Sequence, residues 1–281
     1  MFVVDGNLDA EARWAGGALP AKVAERVSPF AALLAFLVPP DEPVEIWAPA
    51  AVDPARVRFA ATMRAGTPPH ADLVWAQPEA KHVNDRRFAL ALAQRLGCAL
   101  PGARAIASAD DIAIPGPWVA KAPWTTAGRD RCFGTGREIP PELPRLLATH
   151  GELVVEPWLD RTADFAICGD TEAGLLPPHR LITSARGTFR GIAVGEGPAE
   201  LGEIARAVSD ALRAAGYRGP FGVDAFVHAG GLHPLCEINA RYTFGHVAHA
   251  LARRRGAKTL GLGPHAPTPS IELVAGAAWM T

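Results

Sequence analysis

The stretch FGVDAFVHAGGLHPLCEINAR, residues 221 to 241, decides the reading of this chain. Gly230–Gly231 between two runs rich in β-formers predicts a hairpin with those two glycines as its loop. Ala229 then faces Leu232, and the register that follows sets Asp224 directly opposite Glu237. Side chains alternate with period two along a strand, so Asn239 lies on the same face. Carboxylates opposed across a hairpin repel, and the pattern calls for a cation between them. Two acids and an amide oxygen form an all-oxygen set suited to Mg²⁺, which completes its shell with water and substrate phosphates. The same residues also describe a solvated hairpin face with two exposed acids. A slip of one residue would separate the acids, and Pro234 is where a bulge fits. In this register His228 faces His233, and both read as surface residues.

Outward from the hairpin, the chain has 281 residues, 49% hydrophobic and 20% charged, with a formal net charge of −1. These are globular values, and the charge argues against a protein that holds nucleic acid or anionic lipid by bulk electrostatics. The longest strongly apolar run, Phe30 to Val38, is closed by Pro39–Pro40 and is too short to span a bilayer. No basic region followed by an apolar stretch opens the chain. Cys98, Cys132, Cys168 and Cys236 are widely spaced without a CxxC pair, which reads as reduced thiols rather than a disulfide framework or zinc site, in a cytoplasmic setting. Only 4 of the 28 basic residues are lysines, and Asn occurs only at positions 7, 84 and 239. A lysine or an asparagine set among apolar residues therefore stands out.

Short apolar runs at residues 2–4, 44–47 and 73–75, with a helical segment from Lys22 to Val38, predict a small parallel α/β layer. Asn84 is expected to cap a helix with Phe88, Ala91, Leu92 and Leu96 on its apolar face. After Leu100–Pro101 the texture changes to an α+β pattern. Strands are expected at 118–122, 153–155, 165–168, 181–183, 192–194, 221–228 and 232–239, and helices at 141–150, 201–212 and 243–255. The Gly- and Pro-rich tail from Gly256 reads as a surface strap.

Lys121 ends the apolar strand Trp118-Val-Ala-Lys121 and precedes the small-residue turn Thr125-Thr126-Ala-Gly128-Arg129. A lysine beside such a turn can hold phosphate oxygens, although any surface turn has the same composition, and GxxxxGK[ST] is absent. Lys121 is expected to act on phosphate rather than on the fold. Glu156-Pro157-Trp158-Leu159 ends one strand and Asp164 opens the next, which alone is a simple β-β connection. His246 and His249, at i and i+3, show no third ligand in the sequence. Trp124 and Trp158 read as core residues.

Taken in order, Lys121, the Val155–Glu156–Leu159 segment, Asp224 and Glu237-Ile-Asn239-Ala-Arg241 resemble an ATP-grasp enzyme of the carboxylate–amine ligase type over roughly residues 80 to 255. The resemblance implies an α/β pre-ATP-grasp unit at 1–83 and an ATP-grasp domain at 84–255. That domain would have α+β subdomains at 84–157 and 158–255 holding ATP between them, with a tail at 256–281. It implies Lys121 on the α/β-phosphates beneath a flap containing Thr125, Thr126 and Gly128. Glu156, Pro157, Trp158 and Leu159 would cradle adenine, and Asp164 the ribose hydroxyls. Asp224 and Glu237 would hold one Mg²⁺, Glu237 and Asn239 a second, with Mn²⁺ an alternative. Arg241 would face the γ-phosphate and the acyl intermediate. Where the family often has a lysine before the central unit, this chain has Arg86 and Arg87. Gly222 replaces the arginine that D-alanine ligases carry two residues before the metal aspartate, and Arg186 or Arg190 offers charge instead. The implied reaction joins a small-molecule or peptide carboxylate to an amine through an acyl phosphate, releasing ADP and phosphate, with no nucleic acid or membrane partner. A phosphotransferase, a nucleotide-binding subunit without turnover and a homodimer stay open.

Overall fold

The computed structural model describes residues 1–125, 130–184 and 188–281. The first sheet is built from β1 (Phe2–Asp5), β2 (Val44–Ala48), β3 (Thr62–Ala65) and β4 (Leu73–Val74) in the order β3-β2-β1-β4, with every pairing parallel. Parallel strands need crossovers. The first is supplied by α1 (Ala10–Trp14), α2 (Ala21–Val27) and a 3₁₀ turn over Ser28–Leu37. The expected single helix from Lys22 to Val38 is therefore split. Pro29 lacks the N–H that an α-helix would need there, and Leu33 and Leu34 feed two different cores. Strand β3, at the sheet's edge with mostly exposed residues, lacks the apolar pattern that betrays its neighbours.

Helix α3 (Arg86–Arg95) starts at Asp85 rather than Asn84, the Asp85 carboxylate accepting the Arg87 N–H at 2.8 Å. Asn84 is instead a cross-link. Its amide donates to the Ala80 and Ala240 carbonyls, and its oxygen accepts the Ala240 N–H at 2.9 Å. The buried stripe of α3 is Ala89, Leu92 and Ala93, while the expected Ala91 and Leu96 are exposed, because the helix turns toward the central sheet.

The second sheet is antiparallel, with β5 (Arg104–Ile106), β6 (Pro117–Lys121), β7 (Arg131–Thr135) and β8 (Leu153–Pro157) in the order β5-β8-β6-β7. Helix α4 (Glu142–His150) closes its own small core with Leu143 and Leu146 against Trp118, Leu153 and Val155.

The third sheet is the largest. It comprises β9 (Arg161–Asp170), β10 (Gly174–Leu175), β11 (His179–Thr183), β12 (Phe189–Val194), β13 (Pro220–His228), β14 (Gly231–Asn239), β15 (Thr259–Leu262), β16 (Ile271–Val274) and β17 (Ala278–Met280). Their order is β14-β13-β9-β11-β12-β15-β17-β16, with β10 beside β9. The segment read as a surface strap is thus three strands of this sheet. Leu260, Leu262, Leu273, Ala278 and Met280 are buried with Val247 and Leu251 of α6 (Phe244–Arg255), a burial that Gly and Pro content conceals. Helix α5 (Leu201–Ala214) lays Leu201, Ala205, Val208 and Leu212 on Ile167, Val223 and Ile238 of one face. Period-two alternation leaves Cys168, Asp224, Glu237 and Asn239 on the opposite face.

Candidate functional site

Asp224 pairs with Glu237, and Gly222 with Asn239, in the register expected from the sequence. The turn that produces it differs. His228 faces Gly231 and Phe226 faces His233, so the loop is Ala229–Gly230, and a bulge between Asp224 and Phe226 absorbs two extra residues of β14 around Pro234. Gly231, at φ 109°, takes the conformation that the tight turn demands of a glycine. The expected pairing of His228 with His233 does not form. His233 is buried rather than exposed, its ring 4.9 Å from that of Phe226.

Around the opposed acids, basic side chains arrive from α3, β6, β9 and the turn that follows β14. Arg86, the first residue of α3, places Nη2 2.9 Å from Glu237 Oε1 and Nη1 2.8 Å from the Ala122 carbonyl. Its buried Nε has no partner among the described residues. Lys121, ending β6, is ion-paired with Glu156 of β8, both largely buried, so, contrary to the expectation from sequence, it is also a residue of the fold. Arg241 sends Nη2 to Asn239 Oδ1 at 2.9 Å and Nε to Glu11 in α1, and lies over Trp75 at 5.3 Å. Arg161 donates to Asp164 at 3.2 Å and covers the Phe226 ring at 4.0 Å. Arg86, Lys121, Glu156, His233 and Cys236 line one cleft.

These contacts sort the charges. Burial disfavours the Lys121 ammonium, but Glu156 and Cys236 together more than offset it and hold the lysine pKa above its ordinary value. Burial pushes Glu237 up, yet Arg86, Lys121 and Arg241 together hold its carboxyl below the usual range. Asp224 has no cation within ion-pair distance among the described residues. Burial, with Glu237 opposite, pushes its carboxyl up to about 7. Its side-chain hydrogen-bond partner is the Asn239 amide at 3.3 Å.

The other expected site residues lie nearby. Glu156 spends its carboxylate on Lys121, and the Trp158 N–H is held by the Pro117 carbonyl at 2.9 Å. Asp164 accepts from Thr183 Oγ1 at 2.9 Å as well as from Arg161. Pro157 and Leu159 are half-buried on either side of Trp158, and Thr125 is half-buried beyond β6. Thr126, Gly128 and Arg186 lie outside the described residues, and Arg190 is exposed. Both Trp124 and Trp158 are half-buried, and only Trp124 packs against a core, at the edge of the largest one. The first has its indole N–H on the Lys81 carbonyl, and the second meets Phe133 edge-on at 4.9 Å. Sequence reasoning missed Glu11 and Arg161. Glu11 gives no local signal, since its partner stands 230 positions away, whereas Arg161 sits three residues from Asp164 and was open to notice.

The donor set suits a hard cation. Asp224 and Glu237 offer carboxylate oxygens, and Asn239 beside them offers an amide oxygen that here accepts from Arg241. The raised Asp224 carboxyl and the unpartnered Arg86 Nε are the two unmet electrostatic demands at the site.

No known family profile matches the chain, and no curated protein matches it. Solved structures do. N5-carboxyaminoimidazole ribonucleotide synthetase from Thermus thermophilus superposes with a TM-score of 0.58 at 12% identity, over 100% of this chain and 93% of that one. The ADP complex of N5-carboxyaminoimidazole synthetase from Staphylococcus aureus gives 0.55 at 12% identity, over 90% and 72%. Biotin carboxylase from Campylobacter jejuni, solved with β,γ-ATP, gives 0.54 at 12% identity, over 87% and 66%. The fold of this chain is the ATP-grasp fold that these enzymes share.

Proposed function

We propose that the chain is an ATP-dependent ligase that activates a carboxylate as an acyl phosphate, releases ADP, and passes the acyl group to an amine. The observation that carries this reading is the hairpin face on which Asp224, Glu237 and Asn239 stand together, ringed by Arg86, Lys121 and Arg241. The nucleotides bound by structures of the same fold add support. In this reading residues 1–83 are the pre-ATP-grasp unit, and 84–157 and 158–255 the two halves around the nucleotide. The terminal strands extend the second half.

ATP and a carboxylate are both anionic, so their approach carries a repulsive barrier that positive groups lower. Asp224, Glu237 and Asn239 would hold Mg²⁺, which when bound supplies positive charge to the terminal phosphates. Lys121 and Arg86, on one cleft wall, would take phosphate oxygens, the free Nε of Arg86 being a donor in waiting. Arg241 would orient the γ-phosphoryl group and the carboxylate it meets. Glu156 to Leu159 would border the adenine and Asp164 the ribose.

A screen of ADP release across carboxylate and amine pairs, with hydroxylamine as trap, tests the reading. Hydroxamate formed in step with ADP is expected. AMP as the stoichiometric product refutes the acyl phosphate, and ADP with a stable phosphorylated acceptor and no hydroxamate identifies a phosphotransferase.

A further inference from the structure

On the same sheet face, one row from Asp224, three side chains from distant parts of the chain converge. Cys168 on β9, His179 on β11 and His249 on α6 offer ligand atoms that all lie within 4.8 Å of one another. All three are buried, at 1%, 2% and 5% exposure. Cys168 pairs with Gly222, two residues before Asp224, and His179 pairs with Ala166, so both point to the face that α6 covers. Gly245 lets the helix come this close. A Cβ there would stand 2.6 Å from His179 Cε1 and 3.1 Å from Cys168 Sγ.

We propose that Cys168, His179 and His249 supply three ligands to Zn²⁺ or a similar borderline-soft transition ion, with water in the fourth position, which ties β9, β11 and α6 together beside the hairpin face. His249 Nε2 lies 3.3 Å from His179 Nδ1. Two nitrogens bound tetrahedrally at ~2.0–2.1 Å stand roughly 3.3–3.4 Å apart, so the pair already has the spacing of two ligands on one ion. Thiolate and imidazole are the donors that select zinc over Mg²⁺. His246, which the sequence pairs with His249, is not a ligand. Its Nδ1 accepts the Thr243 N–H at 3.0 Å, and its Nε2 meets the Gly169 carbonyl at 3.0 Å. The two ligands that the sequence did not show, Cys168 and His179, come from two strands of the sheet.

Full-length protein, stripped with a chelator and titrated with Co²⁺, tests the proposal. One equivalent should bind with thiolate-to-cobalt charge-transfer absorption and the ligand-field bands of a tetrahedral site. Zn²⁺ should displace it, excess Mg²⁺ should not, and Zn²⁺ should raise the melting temperature. Cys168→Ser and His249→Gln should each weaken Zn²⁺ binding by more than the roughly 10–100-fold that losing an outer-shell partner costs. Glu237→Gln should leave the spectrum unchanged, which separates this site from the nucleotide site. Absence of the thiolate band in the wild type overturns the proposal, and that result does not depend on any variant folding. Retention of the band in Cys168→Ser overturns it equally, since another cysteine would then be the ligand.

Discussion

Replacing Asp224 by Asn should make the metal-free protein more stable at pH 8. The Asp224 carboxyl stands at about 7 against an ordinary 3.8, because burial and Glu237 both oppose its charge. Each tenfold change in proton affinity is worth about 1.4 kcal/mol, so the full displacement amounts to about 4 kcal/mol as a ceiling. Water reaching the half-buried carboxylate brings it to about 2–3 kcal/mol. The sign follows from proton counts. Below pH 3.8 folded and unfolded chains both hold the proton and Asp224 contributes no slope. Between about 4 and 7 the unfolded chain releases it first, so stability falls as pH rises, and above about 7 the penalty is constant. Asn imitates the protonated acid and escapes that slope, while keeping an oxygen for the Asn239 amide. Urea unfolding followed by tryptophan fluorescence, with chelator present, should show an advantage for the variant that grows by about 2 kcal/mol between pH 5 and pH 8. Saturating Mg²⁺ and ADP should erase the advantage by stabilising only the wild type. An equal stability difference at both pH values, or a variant weaker at pH 8, would refute the electrostatic reading of the site.

Two further outcomes follow from the ion pairs. Lys121→Met should cost about 3–5 kcal/mol of stability by stranding the buried Glu156 carboxylate, and adding Glu156→Gln should restore most of it. Calorimetric ATP titration of that double variant should still show the ten- to hundredfold loss, ~1.5–3 kcal/mol, of a missing charged donor. A double-mutant cycle on Arg241→Gln and Glu11→Gln should give a coupling of about 1–3 kcal/mol by urea unfolding, and a coupling near zero would show that the contact does not join the two units in solution.

The facing of Asp224 and Glu237 was legible because it depends on parity. The turn lies one residue earlier than the glycine pair suggests, but the bulge near Pro234 shifts the register by two, and a shift of two returns every side chain to its own face. Lys121 stood out for the same kind of reason, a rare residue in an apolar strand. The partners of these residues were hidden. Glu11 meets Arg241, and His249 meets His179, across separations that no local pattern records. The terminal strands were masked by Gly and Pro, whose turn chemistry outweighs a few alternating leucines. Asn84 was noticed for its rarity but placed one residue away from the cap, because its actual work is to fasten α3 to the end of β14.

Each of the four basic side chains at the site holds a carboxylate. Arg86 rests on Glu237, Lys121 on Glu156, Arg161 on Asp164 and Arg241 on Glu11. On the proposed function, nucleotide capture is then an exchange of counter-ions rather than the filling of a bare positive hole. A stray anion such as inorganic phosphate could take Arg86 only by leaving Glu237 and Asp224 facing each other with less compensation. A nucleotide that brings its own divalent cation leaves no such deficit, because the acid released by the arginine gains the metal as the arginine gains the phosphate. Selectivity for the metal-bound form of the nucleotide would thus be written into the resting pairs, before any ligand arrives.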